Sequence, residues 1–179
     1  MPDTKPATEW INGRALQKVS PQRKHALAQG VFFSALHSWA VREGSGRVGT
    51  EWDFRIAPPG EVRRPLVPDV AYLSYDRVPY TSEKDADIPR VAPDVVVEVV
   101  SPGDRTADVE EKVRVYLAAG TKVVFLVNTE AQEVTVRTVG GSRLLSKAEE
   151  IEDEALPGFS MPVKALFEEP RPRNSGLGV

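Results

Sequence analysis

A chain of 179 residues carrying a net charge of −3 is long enough to bury a core as one domain without covalent staples. It has no cysteine, which excludes disulfides, thiolate metal sites and cysteine nucleophiles and fits a reducing, cytoplasmic setting. The acidic balance excludes a global basic footprint, so any hold on nucleic acid must come from local Arg/Lys clusters, and neither a secretory pattern nor a membrane-length apolar run is present.

Residues 1–8 are expected to be flexible. Residues 9–18, EWINGRALQK, read as two extended pieces around Asn12-Gly13, a hairpin signal. Ser20-Pro21 is a helix start, and the segment to about Arg42 carries Leu27, Val31, Ala35, Leu36 and Trp39 along one side, with Gly44 placed to end it. His25 lies near the beginning of this helix and His37 near its end. Each is a possible ligand or acid–base group, although no spacing pairs them, and a surface or capping role explains either one.

Val48 to Ile56 alternates cleanly and predicts one half-exposed strand. Pro58-Pro59-Gly60 is a turn, Arg63-Arg64 opens the next element, and Pro68 to Leu73 reads as a second strand with Asp69 just after its proline. Ser74 to Ala92 is long, polar and charged, the kind of loop that is usually functional or mobile.

The stretch Pro93 to Lys112 is the centre of the sequence. Asp94 to Val100 is nearly all valine, which suits a strand covered on both faces, yet Glu98 sits in its middle. A carboxylate taken out of water costs several kcal/mol unless something compensates. Alternation places Val95, Val97 and Val99 on one face and Asp94, Val96, Glu98 and Val100 on the other. Ser101-Pro102-Gly103 breaks the strand, and Asp104 or Thr106 can cap the helix that follows. That helix turns Val109, Val113, Tyr116 and Leu117 toward the sheet, with Lys112 in or beside the same stripe. Glu98 and Lys112 can therefore meet at one end of the sheet, either as a functional pair or as a structural one. Asp94 lies four residues from Glu98, about 13 Å along the strand, and reads as the residue that opens it.

After Gly120, Lys122 to Val127 is a second buried strand, completing a β–α–β crossover with a parallel pair. Glu133 to Val139 alternates, Arg143-Leu144-Leu145 predicts an edge strand, and Pro157-Gly158-Phe159 and Val163 to Phe167 predict a closing turn and a short helix. Residues 168–179 are expected to be a disordered tail. The predicted class is α/β, a mixed central sheet flanked by helices, with an N-terminal hairpin and C-terminal antiparallel strands over residues 9–167.

Pro68-Asp69, the run Pro93 to Pro102 with Glu98, and Lys112, Tyr116 and Gly120 ahead of KVVFLV together resemble the Uma-type restriction endonuclease family of the PD-(D/E)XK nuclease superfamily. The likeness extends to Asn12-Gly13-Arg14, to Ser20-Pro21 with His25, and to Leu156-Pro157-Gly158-Phe159. It implies a restriction-endonuclease-like core and a metal-dependent endonuclease that hydrolyses DNA phosphodiester bonds. Carried over by position, Asp69 and Glu98 are the metal-binding acids. Lys112 stands in for the lysine that the superfamily pattern places two residues after the acid, where this chain has Val100.

Two carboxylates with a backbone carbonyl, that of Val99, make the hard oxygen site suited to Mg²⁺ or Mn²⁺. Glu9, Glu43 and Glu51 are possible further acids. Arg63, Arg64, Arg105 and Arg114 are candidate phosphate contacts, or else solvated charges. By analogy the chain is expected to be a homodimer. The alternative is a catalytically silent nuclease fold acting as a binding or assembly module, which the acidic charge and lack of a separate DNA-reading motif keep open, while the intact set Asp69, Glu98 and Lys112 favours the nuclease.

Overall fold

The first reversal of the chain is built on Asn12 and Gly13, both at positive φ (48° and 71°), a backbone that asparagine and glycine adopt at least cost. It joins strands β1 (Thr8–Ile11) and β2 (Arg14–Gln17), so Thr8 already belongs to a strand rather than to a flexible end. The structure, a computed structural model, describes residues 7–18 and 22–171, and the predicted helix start at Ser20-Pro21 and the tail from residue 172 lie outside these.

Helix α1 (Arg23–Glu43) ends at Gly44, whose left-handed backbone (φ 61°) lets its N–H donate to the Ala40 carbonyl. Its buried side is Ala28, Phe32, Leu36, Trp39 and Ala40. The predicted stripe shared Leu36 and Trp39, and its Val31 and Ala35 pack against the core at the margin, but it took Leu27 where the core takes Ala28 and Phe32. Phe32 wins because its ring packs on Phe125 and Phe159, 5.4 and 6.3 Å between centroids.

The single strand predicted over 48–56 is in fact two. Strand β3 (Gly46–Thr50) stops at Glu51, which has φ 50°, and β4 (Phe54–Ile56) then pairs with β5 (Arg64–Leu66) in a separate two-stranded sheet. Alternation continued through the break because both pieces bury apolar residues, but in different places: Val48 packs on one core cluster while Phe54 and Ile56 enter the other. The indole N–H of Trp52 holds the turned segment by donating to the Ala86 and Asp87 carbonyls.

Strand β6 (Val70–Ser74) follows, then the short helix α2 (Glu83–Asp87), β7 (Val95–Val100), α3 (Thr106–Ala118), β8 (Val123–Asn128), β9 (Glu133–Thr138) and β10 (Gly141–Leu145). A small pair, β11 (Glu150–Ile151) and β12 (Met161–Pro162), and a 3₁₀ turn at Val163–Leu166 close the described chain. The central sheet has the order β10-β9-β8-β7-β6-β3, with β7 and β8 parallel and every other pair antiparallel. This is the predicted α/β arrangement, N-terminal hairpin and C-terminal antiparallel strands included, and β10 is the predicted edge.

The valine runs divide between two cores as alternation requires. Val95, Val97 and Val99 pack with α1, and Val96 packs with Val113, Val115 and Tyr116 of α3. Neither Asp104 nor Thr106 caps α3; the Asp104 carboxylate instead accepts the Ser101 N–H and closes the turn before the helix.

Asp94 closes the far end of β7. Its carboxylate, 1 % exposed, accepts the Ser74 N–H (2.8 Å) and pairs with Arg77 (3.1 Å) and Lys122 (3.0 Å). The long segment between β6 and β7 lies at this same end, stitched down by Arg77 and by Arg47, whose guanidinium donates to the Val78, Pro79 and Tyr80 carbonyls. It is anchored, and none of it lines the cavity described below. Asp94→Asn, which keeps an acceptor for Ser74 but loses the ion pairs, should lower stability by about 2 kcal/mol in urea unfolding. An Asp94→Asn variant as stable as wild type would contradict this structural role.

Candidate active site

The antiparallel ladder between β6 and β7 pairs Val70 with Val97 and Ala71 with Val96. Continued by one residue, that register sets Asp69 opposite Glu98, and residues directly opposite project from the same face with Cβ atoms about 5 Å apart. A proline just before the strand and an acid in the middle of the next one are thereby turned into two carboxylates side by side. Both are buried, Asp69 at 2 % and Glu98 at 8 % exposure, and both line one cavity of about 570 Å³ between the N-terminal hairpin and α3.

Asp69 is held from several sides. Its Oδ2 accepts the Val99 N–H (2.7 Å) and lies 3.3 Å from His25 Nε2; its Oδ1 accepts Lys18 Nζ at 2.7 Å. The Gln29 amide donates to its backbone carbonyl (3.0 Å). Burial pushes this carboxyl up, but the His25 hydrogen bond and the Lys18 and Lys112 charges outweigh it and hold the group below the usual carboxylate range. The same contact works on His25: burial disfavours its charged form, and the hydrogen bond to Asp69 more than compensates, raising its pKa. Its other ring nitrogen, Nδ1, is buried without a partner among the described residues.

Glu98 has the opposite balance. Burial, with the neighbouring Asp69 and Glu9 carboxylates, exceeds the attraction of Lys112 and pushes Glu98 up to about 7. Its Oε2 takes Lys112 Nζ at 2.7 Å and its Oε1 accepts the Tyr116 hydroxyl at 3.2 Å. Lys112 also reaches Glu9 at 2.9 Å. Burial alone would favour the neutral amine, but Glu9, Glu98 and Asp69 together hold it as an ammonium.

The structure thus brings Asp69, Glu98, Val99, Lys112 and His25 together around one space. His37 is elsewhere, exposed and stacked on Phe33. Of the four arginines read as phosphate contacts, only Arg105 lines the cavity. Arg64 and Arg114 are tied to Glu61 and Glu111, and Arg63 donates to the Arg55 and Arg90 carbonyls.

Two residues at the site were not singled out by sequence, and both come from the hairpin. Glu9 stood among three equivalent acids; its phase with the buried Ile11 in the alternation Glu9-Trp10-Ile11 was the available signal. Lys18 carried none, because its place depends on the chain folding back so that its N–H meets the Ala7 carbonyl. Glu9 and Lys18 grip opposite sides of the Val67 peptide, one accepting its N–H (2.8 Å), the other donating to its carbonyl (2.9 Å), and so fix the loop that carries Asp69. Asn12 and Arg14 fasten the hairpin to α3 by hydrogen bonds to Asp108.

As a donor set these residues fit a hard divalent cation. Two carboxylates from neighbouring strands face one cavity, beside the backbone of Val99, and such oxygen donors are the kind a hard divalent cation takes. Ammonium groups stand against both acids, and among the described residues no three His, Cys, Asp or Glu side chains are already grouped as a metal centre.

No helix among the described residues is long and apolar enough to cross a membrane. No curated protein matches the sequence. The crystal structure of a putative nuclease belonging to DUF820 from Anabaena variabilis ATCC 29413 is similar to this chain at 25% identity, covering 93% of each chain with a TM-score of 0.79. The family model for Uma2, putative restriction endonuclease, matches residues 1–164. By that match, which takes in the hairpin, both acids and α3, this chain belongs to the Uma2 family of putative restriction endonucleases.

Proposed function

We propose that this protein is a metal-dependent endonuclease that hydrolyses phosphodiester bonds of DNA. The observation that carries the reading is the register that sets Asp69 beside Glu98 at a cavity also lined by Lys112. Asp69 and Glu98, with the backbone of Val99, would hold a Mg²⁺ or Mn²⁺ ion. When bound, that ion lowers the pKa of a water and neutralises charge on the scissile phosphate.

The chain's own groups supply the rest. The Val99 N–H fixes the direction of the Asp69 carboxylate, and Tyr116 fixes that of Glu98, so neither acid has to reorganise. Lys112, kept protonated by three acids, presents an ammonium that can orient the attacking water or donate to the phosphate oxygens. Arg105, the residue just before α3, makes no side-chain hydrogen bond or ion pair among the described residues and is the arginine lining the cavity whose guanidinium is free to meet the backbone of a bound strand.

One observation favours a second reading, a silent binding module. Every carboxylate oxygen of Asp69 and Glu98 already accepts from a protein donor, as in a structural charge cluster. Plasmid DNA incubated with purified protein separates the two. The nuclease reading expects nicking with Mg²⁺ or Mn²⁺, none with chelator, and none with Asp69→Ala or Glu98→Ala. Equal nicking by wild type and both variants marks a contaminant, and inactivity of all three supports the silent module.

A further inference from the structure

Two lysines serve the site, and their surroundings differ. Lys112 is enclosed between Glu9 and Glu98, with 11% of its side chain exposed and both partners buried. Lys18 stands at the boundary. Its Nζ lies 2.7 Å from Oδ1 of Asp69, whose side chain is 3% exposed, and 3.0 Å from Oε2 of Glu51, whose side chain is 43% exposed. One ammonium, donating also to the Val67 carbonyl (2.9 Å), is therefore shared between a buried carboxylate and a hydrated one.

Glu51 is held there against its backbone preference. It is a non-glycine residue at φ 50°, and such conformations persist only where the surroundings enforce them. The enforcement is local: the Glu51 N–H donates to the Asp69 carbonyl (3.3 Å), and the Gln29 amide donates to both the Glu51 carboxylate (3.1 Å) and that same carbonyl (3.0 Å). Glu51 is thus clamped beside Asp69, offering Lys18 a second acceptor that is independent of the cavity.

Asp69 is likewise built to keep its place without Lys18, because the Val99 N–H anchors its other oxygen. We propose that Lys18 is the resident counter-cation of Asp69, which a divalent cation displaces onto Glu51 on binding, so that Lys18 and Glu51 together set the metal affinity. This rests on the metal-dependent reading above. Lys18 is a positioning residue: with the divalent ion absent its ammonium sits against Oδ1 of Asp69, and with the ion bound it remains paired at the rim with Glu51.

The test is Mn²⁺ binding to the intact protein, without DNA, by calorimetry at pH 7.5 and low salt. Removing a like charge from beside the ion should tighten binding about tenfold in Lys18→Met, with Lys18→Gln as a second variant of similar length. Glu51→Gln, which removes the alternative acceptor, should weaken binding about threefold by leaving Lys18 on Asp69. Near-ultraviolet circular dichroism confirms that each variant is folded. Binding by Lys18→Met and Lys18→Gln that is equal to or weaker than wild type overturns the proposal while leaving the metal reading intact. Binding unaffected by Asp69→Asn, or absent from wild type and both lysine variants alike, overturns both.

Discussion

Glu98→Gln should leave the protein folded, at least as stable as wild type at pH 8, and, under the proposed nuclease function, slower in metal-dependent cleavage by about a thousandfold. The stability half follows from linkage. A carboxyl whose folded pKa is raised, here from the ordinary 4.5 to about 7, is fully compatible with folding below its unfolded pKa. As pH rises through that window the unfolded chain gives up the proton first, and the fold loses up to about 3 kcal/mol. Glutamine keeps the shape and the Tyr116 contact without the charge, and Lys112 retains Glu9. The gain over wild type should therefore be largest at pH 8 and vanish by about pH 4 in chemical denaturation. A melting temperature several degrees below wild type, with cleavage intact, would show that Glu98 serves only a salt bridge.

The reverse cut should be costly. Lys112→Met strands Glu9 and Glu98 in a buried site with no ammonium between them, and removing one partner of a buried pair typically costs 3–5 kcal/mol. The buried negative charge can be relieved only by taking up protons, which pushes Glu98 up further, and a raised carboxyl pKa destabilises above the unfolded value. Urea unfolding should accordingly show a loss of about 4 kcal/mol at pH 8 and less than half of that at pH 5. An equal loss at both pH values would mean that the lysine acts through packing of its stem. The asymmetry between the two substitutions has one cause: acids outnumber ammonium groups around Lys112, so an acid can be removed where the cation cannot.

The same excess explains the different states of the two neighbouring acids. Asp69 has a backbone N–H, a histidine and a lysine of its own; Glu98 shares its lysine with Glu9 and otherwise has a phenol. One site therefore contains a carboxylate held ionised and another near neutrality, the kind of divergence that accompanies functional centres.

Much of this arrangement was legible in the order of residues. A valine run covered on both sides reads as a central strand, its period of two separates the α1 face from the α3 face, and the same period puts Glu98 on the side where Lys112 arrives. Asn12-Gly13 announces its hairpin for the same local reason, since few residues tolerate the backbone that turn requires. These features depend on neighbours in sequence and survive whatever the rest of the chain does.

What only the tertiary structure decided is which distant groups complete the site. The register between β6 and β7, which sets Asp69 opposite Glu98, is a pairing of strands about thirty residues apart in number, and no local pattern encodes it. Glu9 and Lys18 reach the acids because the hairpin is clasped to α3 through Asp108, and Glu51 reaches them because one strand of nine predicted residues breaks at a left-handed backbone. A lysine's charge is visible in the sequence, but its partner is a matter of packing. Only the folded chain shows that Lys112 is locked between two buried acids while Lys18 keeps one hydrated carboxylate within reach.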